Sequence, residues 1–325
     1  MKISAAQKQL IQNGKPLPFG VYDGLIEDVS TAAIDKSDLL YFKRRTERKT
    51  WIFFGYYSKE IICGIAIADA GATSLAFSYI FIPDENIFIE DKITIPFGFS
   101  NDFDPNLNST WKLKNYSITT NGDTIEYKTV NSKFELTATC TNNNKNGFSV
   151  VATSDAKRPF NFTYKNLCIP TSVTIKYNNK VYKGEGNFGS IDFTKGYPPR
   201  ETTWNWLSFI GTTESGKEIA SNIVDQFNDN LENVLFINGE KHLLSNAKFD
   251  YKKPLDKNNW NIKTADNILD LTLFPNGKRT ENLNFVVMKS LFTQVFGKIE
   301  GTVQINNQTE KFTAYGVTEE HFALW

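Results

Sequence analysis

The sequence predicts an all-β protein, and three observations carry that prediction. Apolar and polar residues alternate with period two over many short runs. Those runs are rich in Val, Ile, Thr, Tyr and Phe, the side chains that suit a pleated surface. Turn residues, above all Asn and Gly, break them at the spacing of sandwiches and barrels.

The elements follow in order. Residues 4–12 (SAAQKQLIQ) are expected to form a short helix, and residues 31–40 a helical turn or two. Residues 51–57, 61–69 and 73–82 read as three consecutive strands. Residues 124–129 and 133–140 flank a turn at 130–132. Residues 172–177 and 181–183 flank Asn178-Asn179-Lys180, a hairpin turn by composition. Strands then read at 204–211, 218–227, 234–237 and 241–244, where Asn238-Gly239 is the strongest short hairpin signal in the chain. The last strands are 260–263, 268–274, 292–305 and 310–317, with Asn306-Asn307 turning the final pair. That makes roughly eighteen to twenty strands. About eight follow residue 200, enough to close one small barrel; the others could close a second. No WD dipeptide recurs at the period of a propeller.

Composition narrows the function. The chain has 325 residues, 36 Lys+Arg against 36 Asp+Glu, two His and three Cys, and 14% aromatic residues. Zero net charge lacks the basic excess that nucleic-acid binding needs. Two His and no C-x2-C pair supply no zinc site, so no metal or other cofactor is expected. Three Cys in so long a chain are not a disulfide framework. The most apolar stretch, residues 60–69, is about half of what a membrane helix needs. Residues 1–20 hold no apolar run of signal-peptide length, so no signal peptide is expected. A soluble, cytoplasmic protein is expected.

Most motifs have plain readings. Gly184 to Gly189 matches G-x-G-x-x-G, but strand-like residues follow where a nucleotide site needs a helix. It reads as a glycine-relieved bend. The basic run 43–49 reads as a solvated loop or as partners for carboxylates. Cys63, Cys140 and Cys168 lie in apolar, strand-like text and read as structural thiols. No nucleophile elbow, Walker A, H-E-x-x-H or EF-hand loop occurs. Carboxylates remain, because a carboxyl in an aromatic pocket becomes a proton donor near neutral pH.

Two stretches concentrate polar and aromatic side chains. Residues 192–209 hold Asp192, Lys195, Tyr197, Arg200, Trp204, Trp206 and Phe209. Trp204 and Trp206 are two apart, so both indoles face one side of a strand. They make either a barrel plug or a ligand platform. Residues 222–242 hold Asn222, Glu232, Asn233 and His242. So many amides suggest a polar network, bracing or catalytic, since buried amides must be paired.

Several segments resemble one family. Gly20-Val21-Tyr22-Asp23, the KGYPPRETTWNW run, Leu231-Glu232-Asn233 before Asn238-Gly239, residues 292–297 (FTQVFG) and Gly316-Val317-Thr318-Glu319-Glu320-His321 to Trp325 are similar to the bacterial "domain of unknown function 2804" family. The resemblance runs in order from about residue 18 to the C-terminus, on motifs with no assigned chemistry. That family in turn resembles the two-domain lipocalin-like proteins that include carotenoid hydratases, tocopherol cyclase-like enzymes and AttH proteins. The resemblance implies two lipocalin-like β-barrels with an apolar pocket near their junction. The hydratase-type proteins carry Asp-His-x-x-Gly and then Trp-Asp-Trp. Here Asp192-Phe193-Thr194-Lys195-Gly196 replaces the His, and Trp204-Asn205-Trp206 replaces the second Asp.

The expectation is therefore two lipocalin-like domains, 1–196 and 197–325. The first functional expectation is binding of a small apolar or amphipathic molecule, in a pocket of about 300 Å3 or more. Its lining would come from Tyr197, Trp204, Trp206 and Phe209, with Asn222, Glu232, Asn233, His242, Lys195 and Arg200 as polar contacts. The second is an isomerase, cyclase or hydratase with Asp192 as general acid and Glu232 or His242 as its partner. The third is a structural protein with filled barrels. The partner expected is a small hydrophobic ligand, with no nucleic acid and no transmembrane segment.

Overall fold

The computed structural model describes residues 2–35, 46–71, 73–96, 105–143, 146–155, 158–285, 288–306 and 308–324. Two large sheets hold nearly all of the regular structure, and each curls into a half-barrel. The first has thirteen strands, and its main path runs Ile87–Pro96, Thr73–Ile82, Ile62–Asp69, Lys49–Tyr57, Lys180–Gly196, Asn161–Tyr177, Glu135–Thr141, Thr124–Val130, Tyr116–Asn121 and Trp111–Leu113. Phe148–Ala152 joins it beside Asn161–Tyr177, followed by Gly20–Asp23 and Ser4–Ala5. The second has nine strands in the order Glu240–Leu243, Val234–Ile237, Glu218–Asp225, Glu201–Thr213, Gln308–Leu324, Met288–Ile305, Leu269–Phe285, Trp260–Thr264 and Ala247–Asp250. The chain leaves the first sheet at Gly196 and enters the second at Glu201.

Turn chemistry fixes the hairpins. Asn178 and Asn179 both take positive φ (48° and 60°), and Tyr177 pairs with Lys180 across them. Asn238 and Gly239 do the same at 48° and 82°, with Ile237 opposite Glu240. These are the left-handed pairs whose twist matches that of the flanking strands. Of the Asn306-Asn307 turn, Asn307 lies outside the described residues.

The expected helix at 4–12 does not form. Asn13 and Gly14 adopt positive φ and fold Ile11–Gln12 back on Lys15–Pro16 as a small hairpin. Ala32–Asp35 makes one helical turn; residues 36–40 of the expected 31–40 segment lie outside the described residues. So do Lys43, Arg44 and Arg45. The end of that basic run turns inward instead of into solvent: Arg48 and Lys49 are buried, and Lys49 donates to the carbonyls of Thr46 (2.7 Å) and Ala70 (2.8 Å). The glycine run lies inside the long strand Lys180–Gly196, beside register shifts at Ile169 of the neighbouring strand. Cys63 and Cys140 are buried, and Cys168 is half-buried. Burial pushes the Cys140 and Cys168 thiols up to about 12 and Cys63 higher still. Among the described residues, no helix is long and apolar enough to cross a membrane.

Three apolar cores follow from strand parity. In Lys49–Tyr57, Ile52, Phe54 and Tyr56 fill the first half-barrel, while Phe53 and Tyr57 point the other way. In Glu201–Thr213, Leu207 and Phe209 fill the second half-barrel, while Trp204, Trp206 and Ile210 point out of it. The two outward faces meet and form the third core. Tyr79 stacks on Phe296 with centroids 6.0 Å apart, and Phe53 meets Trp206 edge-on at 6.2 Å. Each curled sheet thus packs its own interior and uses its back to cover the other.

Candidate functional site

The third core is not solid. A cavity of about 180 Å3 lies in it, walled by both sheets. Register explains the wall. On the first sheet one row runs Lys165–Asp192–Phe53–Ala66–Phe77 across five strands. The row beside it runs Thr194–Trp51–Ala68–Leu75–Thr94. On the second sheet the facing rows are Val224–Trp206–Glu319–Gln294–Arg279 and Trp204–His321–Phe292–Glu281. All of these residues but Gln294 line the cavity. Residues two apart on one strand share a face, so Trp204 with Trp206, and Glu319 with His321, enter it in pairs.

The polar groups in this apolar wall fall into three sets. In the first, Lys165 bridges Asp192 at 2.6 Å and Glu232 at 3.0 Å, tying the two sheets together. Burial disfavours its charge, but the two carboxylates outweigh that and hold its pKa above the ordinary lysine value. Asn228 donates to Glu232, and Asn161 to Asn228 at 2.8 Å.

The second set is Glu319. Gln294 Nε2 donates to its Oε1 at 2.7 Å, and the Trp204 indole N–H approaches Oε2 at 3.4 Å. Burial pushes this carboxyl up to about 7; the two donors and Arg279 pull it down, and Asp192 pushes it up. Near neutral pH it can therefore hold a proton and donate it.

The third set is His321 with Ser290 and Arg279. His321 Nε2 lies 2.9 Å from Ser290 Oγ, the reach of a nucleophile–base pair. Burial first, and then Arg279, push the imidazole down to about 3, so it is a poor base. Its Nδ1 has no hydrogen-bond partner among the described residues, so no carboxylate orients it as a triad requires. Trp204 sits against the ring with centroids 4.1 Å apart. Arg279 reaches across the sheets to Glu90 at 2.8 Å and lies 3.7 Å over the Phe77 ring. Among the described residues, no cluster of three or more His, Cys, Asp or Glu could hold a metal ion.

Of the residues singled out in the sequence, Asp192, Glu232, Trp204 and Trp206 line the cavity. Asp192 and Glu232 are both engaged by the Lys165 ammonium, which leaves neither oxygen pair to a substrate alone. Tyr197 is buried in the first half-barrel against Phe160. Phe209 stacks on Phe312 inside the second, because an odd-numbered position on this strand faces away from Trp204 and Trp206. Asn222 and Asn233 brace backbone: Asn222 accepts from the Trp206 indole at 2.8 Å and donates to the Glu232 carbonyl, while Asn233 accepts from the Val224 amide at 2.7 Å. Lys195 is buried and donates to the Pro105 carbonyl. Arg200 and His242 are exposed, and His242 lies on the edge strand Glu240–Leu243.

The cavity is smaller than the pocket expected from sequence, because Trp204, Trp206 and Phe227 occupy much of the junction. A cavity of about 150 Å3 still takes up benzene. Glu319, His321, Lys165 and Arg279 were not legible as site residues. A signal for Glu319 and His321 exists: both sit on the odd-numbered face that carries Val317 and Ala323 into the third core, and charged or polar groups on an otherwise apolar face are unusual.

The family model described as "Domain of unknown function (DUF2804)" matches residues 1–325. No curated protein matches the chain in sequence. Three solved structures share its architecture. An AttH-type protein from Nitrosomonas europaea aligns with TM-score 0.55 at 11% identity, over 83% of this chain and 92% of its own. Kievitone hydratase from Nectria haematococca aligns with TM-score 0.55 at 13% identity, over 93% and 97%. CghA, solved with Sch210972, aligns with TM-score 0.52 at 9% identity, over 97% of both chains. All three are two-domain lipocalin-like proteins, and at these identities the likeness shows the fold alone.

Proposed function

We propose, from the premise that this chain belongs to the DUF2804 family, that it binds a small apolar or amphipathic molecule in the cavity between its two sheets. The observation that carries this reading is an aromatic cavity of about 180 Å3 with a protonatable carboxyl, Glu319, in its wall. Phe53, Phe77, Trp204, Trp206 and Phe292 supply flat apolar surface, and Glu319 supplies one polar contact that costs little desolvation while neutral. The domains divide at 1–196 and 197–325 on this reading, so the ligand lies at their junction. A co-purified small hydrophobe, seen by native mass spectrometry and identified after solvent extraction, is the expected result. Its absence, together with failure of added aromatic probes to bind, would refute the reading.

A second reading has its own support. A buried carboxyl at about 7 beside aromatic rings is the kind of acid that protonates an alkene or a carbonyl. The structures of a hydratase and of a ligand-bound protein share the fold. An isomerase, cyclase or hydratase would use Glu319 as its acid, in place of the Asp192 expected from sequence. Turnover that survives Glu319→Gln unchanged would exclude it.

A further inference from the structure

A second cavity, of about 380 Å3, adjoins the first. Its wall mixes polar and apolar surface: Thr153, Ser154, Asn161, Pro199, Thr202, Thr203 and the loop 226–230, with the acids Glu201 and Asp229 and, among the described residues, no lysine or arginine. Among the described residues, Phe227 alone lines both cavities. It is half-buried and lies against Trp204 with centroids 5.2 Å apart. Around it, Gln226, Asn228, Asp229 and Asn230 all take positive φ, an expensive conformation for residues other than glycine. That backbone turns Phe227 toward the apolar side and the amides toward the cleft.

The two cavities are also joined by hydrogen bonds. Asn161 and Asn228 line the cleft. Asn161 donates to Asn228, Asn228 to Glu232, and Glu232 meets Lys165 at the apolar cavity. Asn161 is only 1% exposed, and its Oδ1 has no hydrogen-bond partner among the described residues. A buried acceptor left unpaired is unfavourable, and it sits in the wall of a cleft rich in further acceptors.

We infer that the ligand has two parts: an apolar ring held in the aromatic cavity, and a neutral, hydroxylated head, of sugar or polyol type, held in the polar cleft beyond Phe227. This rests on the binding reading above and specifies its ligand. Three features select the head. Amides and carboxylates accept hydrogen bonds from hydroxyls, and Phe227 offers a flat face. Two carboxylates, with no lysine or arginine beside them in the wall among the described residues, repel an anionic head. The cleft volume falls within the range of small-molecule sites, about 300–1,000 Å3, whereas the apolar cavity alone falls below it.

Calorimetric titration of the full chain with a naphthyl series tests this. 2-Naphthyl β-glucoside should bind at least about tenfold more tightly than 2-naphthol. 2-Naphthyl phosphate should bind more weakly than 2-naphthol. Thr203→Trp, which fills the cleft from an exposed strand position, should bring the glucoside down to the affinity of 2-naphthol and leave 2-naphthol itself unchanged. Equal affinity for the glucoside and 2-naphthol in the wild type would overturn the inference and leave the binding reading standing. A gain for 2-naphthylmethylamine matching that of the glucoside would overturn the hydroxylated head. Failure of every naphthyl compound to bind would overturn both.

Discussion

Gln294 and Glu319 sit directly opposite one another on neighbouring strands, and Gln294 donates to the Glu319 carboxyl at 2.7 Å. Glu319 faces a cavity built from the backs of two half-barrels, so the protein carries a tunable proton at a buried site. Burial sets Glu319 at about 7 against an ordinary 4.5. A raised acid stabilises the fold while protonated: the contribution is complete below about 4.5 and is lost as pH rises through about 7. The loss is on the order of 3 kcal/mol. Urea unfolding at pH 5 and pH 8 should show it, and Glu319→Gln should flatten that part of the profile.

Lys165 gives a second prediction. Its ammonium lies between Asp192 and Glu232. Lys165→Met leaves two buried carboxylates facing each other and should destabilise by roughly 3–5 kcal/mol, the usual result of breaking a buried pair from one side. The triple variant with Asp192→Asn and Glu232→Gln should recover much of that. Denaturant midpoints compare the two.

Trp206 separates packing from hydrogen bonding. Its indole donates to Asn222 at 2.8 Å, and Asn222 holds the carbonyl of Glu232. Trp206→Phe keeps a ring in the wall but leaves the Asn222 oxygen unpaired, at a cost of about 1–3 kcal/mol. Trp206→Phe with Asn222→Leu should be less destabilised than the sum of the two single variants, a coupling that thermal unfolding measures.

His321 behaves in the sense opposite to Glu319. Its folded pKa is depressed to about 3 from an ordinary 6.5. The stability it contributes is therefore present above about 6.5 and is lost as pH falls toward 3. At pH 5 its ring should remain neutral in the folded protein. Histidine ring NMR shifts followed from pH 7 to pH 4 read this directly.

Much of the architecture was legible because it is local. Alternation and the Asn178-Asn179 and Asn238-Gly239 turns identify strands within a few residues of themselves, and the two-residue spacing of Trp204 and Trp206 puts both on one face. The N-terminal segment was misread because its helix-like composition could not outweigh the Asn13-Gly14 turn. The site was legible only in part because its register is long-range. Gln294 meets Glu319 across a hairpin, Trp206 meets Glu319 from more than a hundred residues away, and Lys165 reaches Glu232 in the turn before strand Val234–Ile237 of the other sheet. Asp192 stood out by its sequence neighbours, whereas its ammonium partner comes from Asn161–Tyr177, a strand whose sequence carries no motif.

The central claim is occupancy of the aromatic cavity. Ala68 lies in its wall, between Trp51 and Leu75 in the sheet, so Ala68→Phe fills the space with the fold retained, as far-UV circular dichroism would verify. The decisive measurement is calorimetric titration of 2-naphthol into the wild type and this variant. The account predicts saturable one-to-one binding by the wild type and a loss of at least about tenfold in the variant. Equal binding by the two proteins, or none by the wild type, would contradict it.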